Sequence, residues 1–82
     1  MKQPETNRIL ILEEDFNMAM EKALPALHSF AQRLCGDQAM ADDLVQAACQ
    51  RGLEKKKQLR ELRGIKSWLY RLVYTRWQDL MR

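Results

Sequence analysis

Two prolines, three glycines and one histidine are all that this 82-residue chain contains of those residue types. With so few breakers, helices can run long without interruption. Between the breakers the apolar residues recur at helical rather than alternating spacing, so no strand is expected. The predicted fold is all-α: a small helical bundle of three main helices behind a short N-terminal segment. Cysteine is scarce as well. Cys35 and Cys49 sit in neither a C-x-x-C nor a Cys/His pattern, which excludes a metal site and reads as reduced thiols packed as small apolar groups. His28 lies at the edge of an apolar helix face with no Cys or carboxylate at ligand or triad spacing, so it reads as structural. An enzyme is therefore not expected, nor a cofactor. No apolar stretch approaches the roughly 18 residues that cross a bilayer, and Met1-Lys2-Gln3-Pro4-Glu5 lacks the layout of a signal peptide. The expectation is a cytoplasmic protein without membrane insertion.

What is present is charge, unevenly placed. Residues 1–50 carry 4 Lys/Arg against 8 Asp/Glu, net −4, while residues 51–82 carry 10 against 3, net +7; the total of +3 conceals that split. A basic end of this kind points to nucleic acid or another anionic surface, the bland alternative being a solvated face.

Along the chain, Ile9-Leu10-Ile11-Leu12 has no strand to pair with and reads as a tethering segment or short helix. Residues 1–14 form that N-terminal tail, and residues 15–82 the domain. Asp15 is the expected N-cap of a first helix reaching Cys35, with Leu24, Leu27, Ala31 and Leu34 on one face and a kink or split at Pro25. Gly36 supplies a left-handed stop and Asp37 the next N-cap. A second helix should run from Gln38 to the high fifties, its inner face formed by Ala41, Leu44, Val45, Ala48, Gly52 and Leu59. Several of these are small enough for close approach, although Gly52 costs about 1 kcal/mol of helix propensity and invites bending or fraying. After a polar linker around residues 60–64, a third helix starts near Ile65. One apolar stripe joins Ile65, Trp68, Leu69, Leu72, Val73 and Leu80, and a second joins Tyr70, Tyr74, Trp77 and Met81, which places the helix centrally. It meets Arg82 without a capping Gly or Pro, the mark of a fragment of a longer chain.

Three stretches carry a resemblance: Phe30-Ala31-Gln32-Arg33-Leu34-Cys35-Gly36-Asp37, then Ala41-Asp42-Asp43-Leu44-Val45-Gln46, then Ser67-Trp68-Leu69-Tyr70-Arg71-Leu72 with Asp79 and Arg82 behind. In this order and spacing the sequence, over roughly residues 24–82, resembles region 2 of bacterial sigma factors of the extracytoplasmic-function group. The resemblance implies a helical domain that binds the clamp helices of the largest RNA polymerase subunit and recognises and melts the minus-ten promoter element on its non-template strand. It also implies an anti-sigma factor as a partner. By position, Asp42, Asp43 and Gln46 would face the polymerase, and helical spacing adds Gln50 and Leu53 to the same outer face. The segment from Arg60 to Lys66 and the start of the third helix would hold the unpaired strand. A cationic groove from Arg60, Arg63, Lys66 and Arg71 suits its phosphates, with Ser67 and Thr75 as hydrogen-bonding readers. Trp68 is either a base platform or a core anchor, and Lys55-Lys56-Lys57 reads as a solvated helix end.

The chain departs from the family at Ala47, Leu53 and Thr75, where Glu, an aromatic and Asn are common. The first two weaken the expected polymerase face, and the third puts base preference in doubt. The helix-turn-helix domain that reads the minus-thirty-five element is absent from these residues. An alternative is a sigma-like mimic that binds an anti-sigma factor without reading DNA; the basic half argues against it, since a decoy has no need of net +7.

Overall fold

A computed structural model describes residues 11–82. Three helices fill it: α1 over Glu13–Cys35, α2 over Gln38–Glu54 and α3 over Ile65–Met81, with single 3-10 turns at Lys56–Gln58 and Leu62–Gly64 between the last two. The described residues contain no strand, as the apolar spacing predicts.

The start of α1 differs from expectation. Leu12 takes the N-cap position in extended conformation with no side-chain cap, and Glu13, Glu14 and Asp15 form the first turn. Three carboxylates beside the unsatisfied N–H groups stabilise that end through the helix dipole, so Asp15 need not cap it. Of the apolar run before it, Ile9 and Leu10 lie outside the described residues. Ile11 and Leu12 are not helical, and Ile11 packs against the core. Pro25 neither splits nor ends α1, which is one continuous helix. The ring is on the exposed side. There the carbonyl of Glu21, deprived of its donor by the missing N–H, can be hydrated.

The corner between α1 and α2 follows the sequence. Gly36 sits at φ 70°, its N–H donating to the Gln32 carbonyl at 2.7 Å. The Asp37 carboxylate accepts from the Ala39 N–H at 3.3 Å. Only a residue without Cβ takes that left-handed conformation at little cost.

Every residue expected on the inner face of α2 is buried, Leu59 included. The helix nevertheless stops at Glu54 instead of reaching the high fifties, and Leu59 enters the core from the loop after the 3-10 turn. Gly52 does not fray α2, because it lies buried against α3. A Cβ placed there would lie 3.2 Å from Leu69 Cδ2, 3.5 Å from Trp68 Cζ3 and 3.7 Å from Leu72 Cδ1.

The core joins Phe16, Met20, Ala23, Leu27 and Ala31 of α1 to the inner faces of α2 and α3. Phe16 meets Trp68 edge to face at 6.2 Å. Of the first stripe on α3, Ile65, Leu69 and Val73 are buried, but Leu80 is 42% exposed. Leu80 belongs to the last turn of α3, where the helix leaves the buried stripe. Helix α3 packs against both other helices, but of its second stripe only Tyr70 and Trp77 are partly buried, while Tyr74 and Met81 stay exposed.

Candidate functional site

Asp42, Asp43, Gln46, Gln50 and Leu53 all lie exposed on α2. At 3.6 residues per turn they occupy an arc of about 100°. Packing divides that arc into two flanks. Asp42 turns toward α1, its Oδ1 3.3 Å from His28 Nδ1. Asp43 turns toward α3, its Oδ2 3.8 Å from Arg76 Nη2. His28 thus has a carboxylate neighbour that spacing along the sequence did not reveal, because it arrives from a different helix.

On the first flank a groove of about 680 Å³ runs between α1 and α2. Its apolar lining includes Met18, Leu24 and Val45, its rim carries Glu14, Glu21 and Asp42, and Gln46 and Cys49 complete the α2 side. Leu53 is 46% exposed at the far end of the same helix. Burial pushes the Cys49 thiol up from its ordinary value. A thiol held protonated is a poor nucleophile. Alkylation of Cys49 by iodoacetamide at mildly alkaline pH should accordingly run several-fold slower in the folded chain than in urea, with peptide mapping reading the rate at that residue.

On the second flank a smaller groove of about 360 Å³ separates α2 from α3. Gln50 lines it together with Ala47 and Thr75. Its charged groups are Arg51, Glu54, Arg76 and Asp79, two of each sign. The potential reader Thr75 therefore faces a groove without net charge. It is eight residues from Ser67, about 12 Å along the helix axis.

The cationic candidates cluster at the other end of α3. Arg60, Lys66, Ser67 and Arg71 are exposed. Among the described residues, Arg60, Lys66 and Arg71 meet no carboxylate in ion-pair range. Arg63 does, its Nε lying 3.0 Å from Glu61 Oε1, yet its side chain is 86% exposed. Such a pair contributes little and opens readily to a competing anion. Lys56 is occupied differently, binding Glu13 at 3.3 Å and tying the turn to the start of α1. Trp68 is half-buried between Phe16 and Gly52, a packing that makes it a core anchor under the basic segment.

Sequence reasoning missed the share of α1 in the first groove, although Glu14, Met18 and Glu21 sit at i, i+4 and i+7, the spacing of one helix face. It also missed the Asp43–Arg76 pair, for which no local signal exists. No cluster of His, Cys, Asp and Glu able to hold a metal occurs among the described residues. None of their helices is long and apolar enough to cross a membrane.

Compared with known families, residues 19–82 match the family model described as Sigma-70 region 2. No curated protein and no solved structure matches the chain significantly.

Proposed function

The chain belongs to the Sigma-70 region 2 family, and on that footing we propose that it is the polymerase-binding, promoter-opening domain of a sigma factor of the extracytoplasmic-function group, acting in the cytoplasm. One observation supports the reading: beside the exposed acidic-amide face on α2, the chain carries a basic segment in which Arg60, Lys66 and Arg71 meet no carboxylate among the described residues and Arg63 has only an exposed partner, Glu61. Two partners of opposite character can then bind at once.

Asp42, Asp43, Gln46, Gln50 and Leu53 meet the clamp helices of the largest polymerase subunit. Arg60, Arg63, Lys66 and Arg71 hold the phosphates of the non-template strand, with Ser67 and Thr75 hydrogen-bonding to it and Trp68 supporting the segment from beneath. Intrahelical hydrogen bonds and core packing fix the α3 backbone, so its cations are displayed at set spacing, and that lowers the ordering cost of binding. An anti-sigma factor would compete for the α2 face.

The test is capture of the isolated clamp-helix fragment by the 82-residue chain. Charge reversal at Asp43 (Asp43→Arg) and truncation of Gln46 (Gln46→Ala) leave the buried side of α2 untouched. Removing a charged contact from a desolvated interface costs about 2 kcal/mol or more, roughly 30-fold in affinity. Undiminished capture by both variants, with helicity intact, rules out this face.

A further inference from the structure

The groove between α1 and α2 lends Asp42 and Gln46 to the polymerase face, but its α1 wall has no role in that reading. Glu14, Met18, Glu21 and Leu24 form this wall, and Met18 is 53% exposed. Three carboxylates, those of Glu14, Glu21 and Asp42, surround an apolar floor, and no Lys or Arg of the described residues lines it. Glu14 and Glu21 meet no cation in ion-pair range among those residues. An occupant that sets apolar side chains between cations would satisfy both the floor and the rim.

The chain carries such a segment immediately before α1. Residues 1–10 read Met1-Lys2-Gln3-Pro4-Glu5-Thr6-Asn7-Arg8-Ile9-Leu10, with two cations against one acid and the apolar pair Ile9-Leu10 next to the domain. They lie outside the described residues, but the point where they join the domain does not. Ile11 packs against the core, Leu12 is extended, and Glu14, which begins the α1 wall, follows within a turn. The chain entering α1 is thus already held against the bundle at one end of the groove. Reach is sufficient: from Lys2 to Ile11 an extended chain spans about 30 Å, whereas the wall from Glu14 to His28 is about 21 Å long. A segment tethered so closely is present at roughly millimolar effective concentration, so contacts that would be weak between separate molecules suffice.

We infer that residues 2–10 seat in the α1–α2 groove of their own chain, with Ile9 and Leu10 on Met18, Arg8 between Glu14 and Glu21, and Lys2 toward Asp42, and that they compete there with the clamp helices. The seating stands on the groove and the segment; the competition rests on the polymerase reading. A segment seated about 90% of the time weakens clamp-helix binding about tenfold, because only the open fraction is competent.

The experiment compares the 82-residue chain with its Lys2→Glu/Arg8→Glu variant, which reverses both cations of the segment and leaves every core residue in place. Cys49 lines the groove, while Cys35 ends α1 at the corner outside it. Iodoacetamide rates at the two thiols, separated by peptide mapping, therefore report the groove and an internal control. The variant is expected to react several-fold faster at Cys49 and equally at Cys35, and to capture the clamp-helix fragment up to about tenfold more tightly. In the parent chain a carbodiimide should join the Lys2 amine to Glu21 or Asp42 within one molecule. Equal Cys49 rates and no such cross-link, in a variant that matches the parent by circular dichroism, overturn the seating. Protection of Cys49 that grows with chain concentration overturns it too, since the occupant is then a second copy. Faster reaction at Cys49 with unchanged clamp-helix capture overturns the competition. If neither chain captures the clamp helices, the polymerase reading fails, and the Cys49 rates and the cross-link alone decide the seating.

Discussion

Replacing Gly52 with leucine should lower the melting temperature by about 4–24 °C. A bare Cβ at this position already lies 3.2 Å from Leu69 Cδ2, with Trp68 and Leu72 closing the remaining sides. Three further carbons have nowhere to go unless α2 and α3 separate. Overpacking of a filled contact costs about 1–3 kcal/mol and sometimes more. In a domain this small, each kcal/mol moves the midpoint by about 4–8 °C. Gly52→Ala is the informative control. Its added methyl presses only on the movable end of Leu69, while the helix gains about 1 kcal/mol of propensity. The net change should stay within about 1 kcal/mol of zero in either direction. Thermal melts followed by circular dichroism read both variants. Equal stability of the leucine variant and the parent chain would show that α2 and α3 are not in contact at Gly52.

The second large effect is electrostatic. If Arg60, Arg63, Lys66 and Arg71 each neutralise one phosphate of a single strand, the log-log dependence of affinity on salt should have a slope of about −3, at roughly 0.7 per contact. A fourfold rise in salt, for example from about 50 to about 200 mM, then weakens binding about 50-fold. Arg71→Ala or Lys66→Ala should each flatten the slope by nearly one contact and weaken every sequence alike. Glu61→Gln should tighten binding, because it releases Arg63 from its 3.0 Å partner. Thr75→Ala should alter preference between strands while leaving the slope in place. These are read by fluorescence anisotropy on short labelled oligonucleotides. A slope near zero would remove the phosphate assignment for this segment. Tight binding of an anti-sigma factor without any strand binding would leave the mimic reading in its place.

The two tests probe different levels of the same design. Helix α3 must lie close to α2 for its cations to be displayed on a fixed axis, and Gly52 is the position that permits this approach. A variant that opens the contact should therefore also reduce strand affinity, though it touches no phosphate. Arg71→Ala should do the reverse, changing affinity with little effect on the melt, since its side chain is exposed.

Periodicity and breakers were enough to establish the helices. The spacing of Leu44, Val45 and Ala48 against Asp42, Asp43 and Gln46 separates the buried from the exposed side of α2, and Gly36-Asp37 marks the corner before it. Those signals are local. They arise from the 3.6-residue repeat and from the φ, ψ preferences of single residues, so they are visible without a partner. The order and spacing of the three motif stretches likewise pointed to the family that residues 19–82 match.

Tertiary structure decided the rest. That Asp42 turns to His28 and Asp43 to Arg76 depends on which helix lies on each flank of α2, a matter of chain packing rather than spacing. Pro25 does not split α1, because its cost depends on whether the deprived carbonyl is buried or faces water, and exposure is a property of the assembled bundle. Leu80 continues the stripe by spacing yet stays exposed, because periodicity marks a face without fixing how far along it a neighbour packs. Gly52 looked like a weak point in an isolated helix. It becomes a point of close contact once α3 lies across it, because the absence of a Cβ is a cost in helix propensity but a gain in approach distance, and only the packed neighbour determines which of the two prevails.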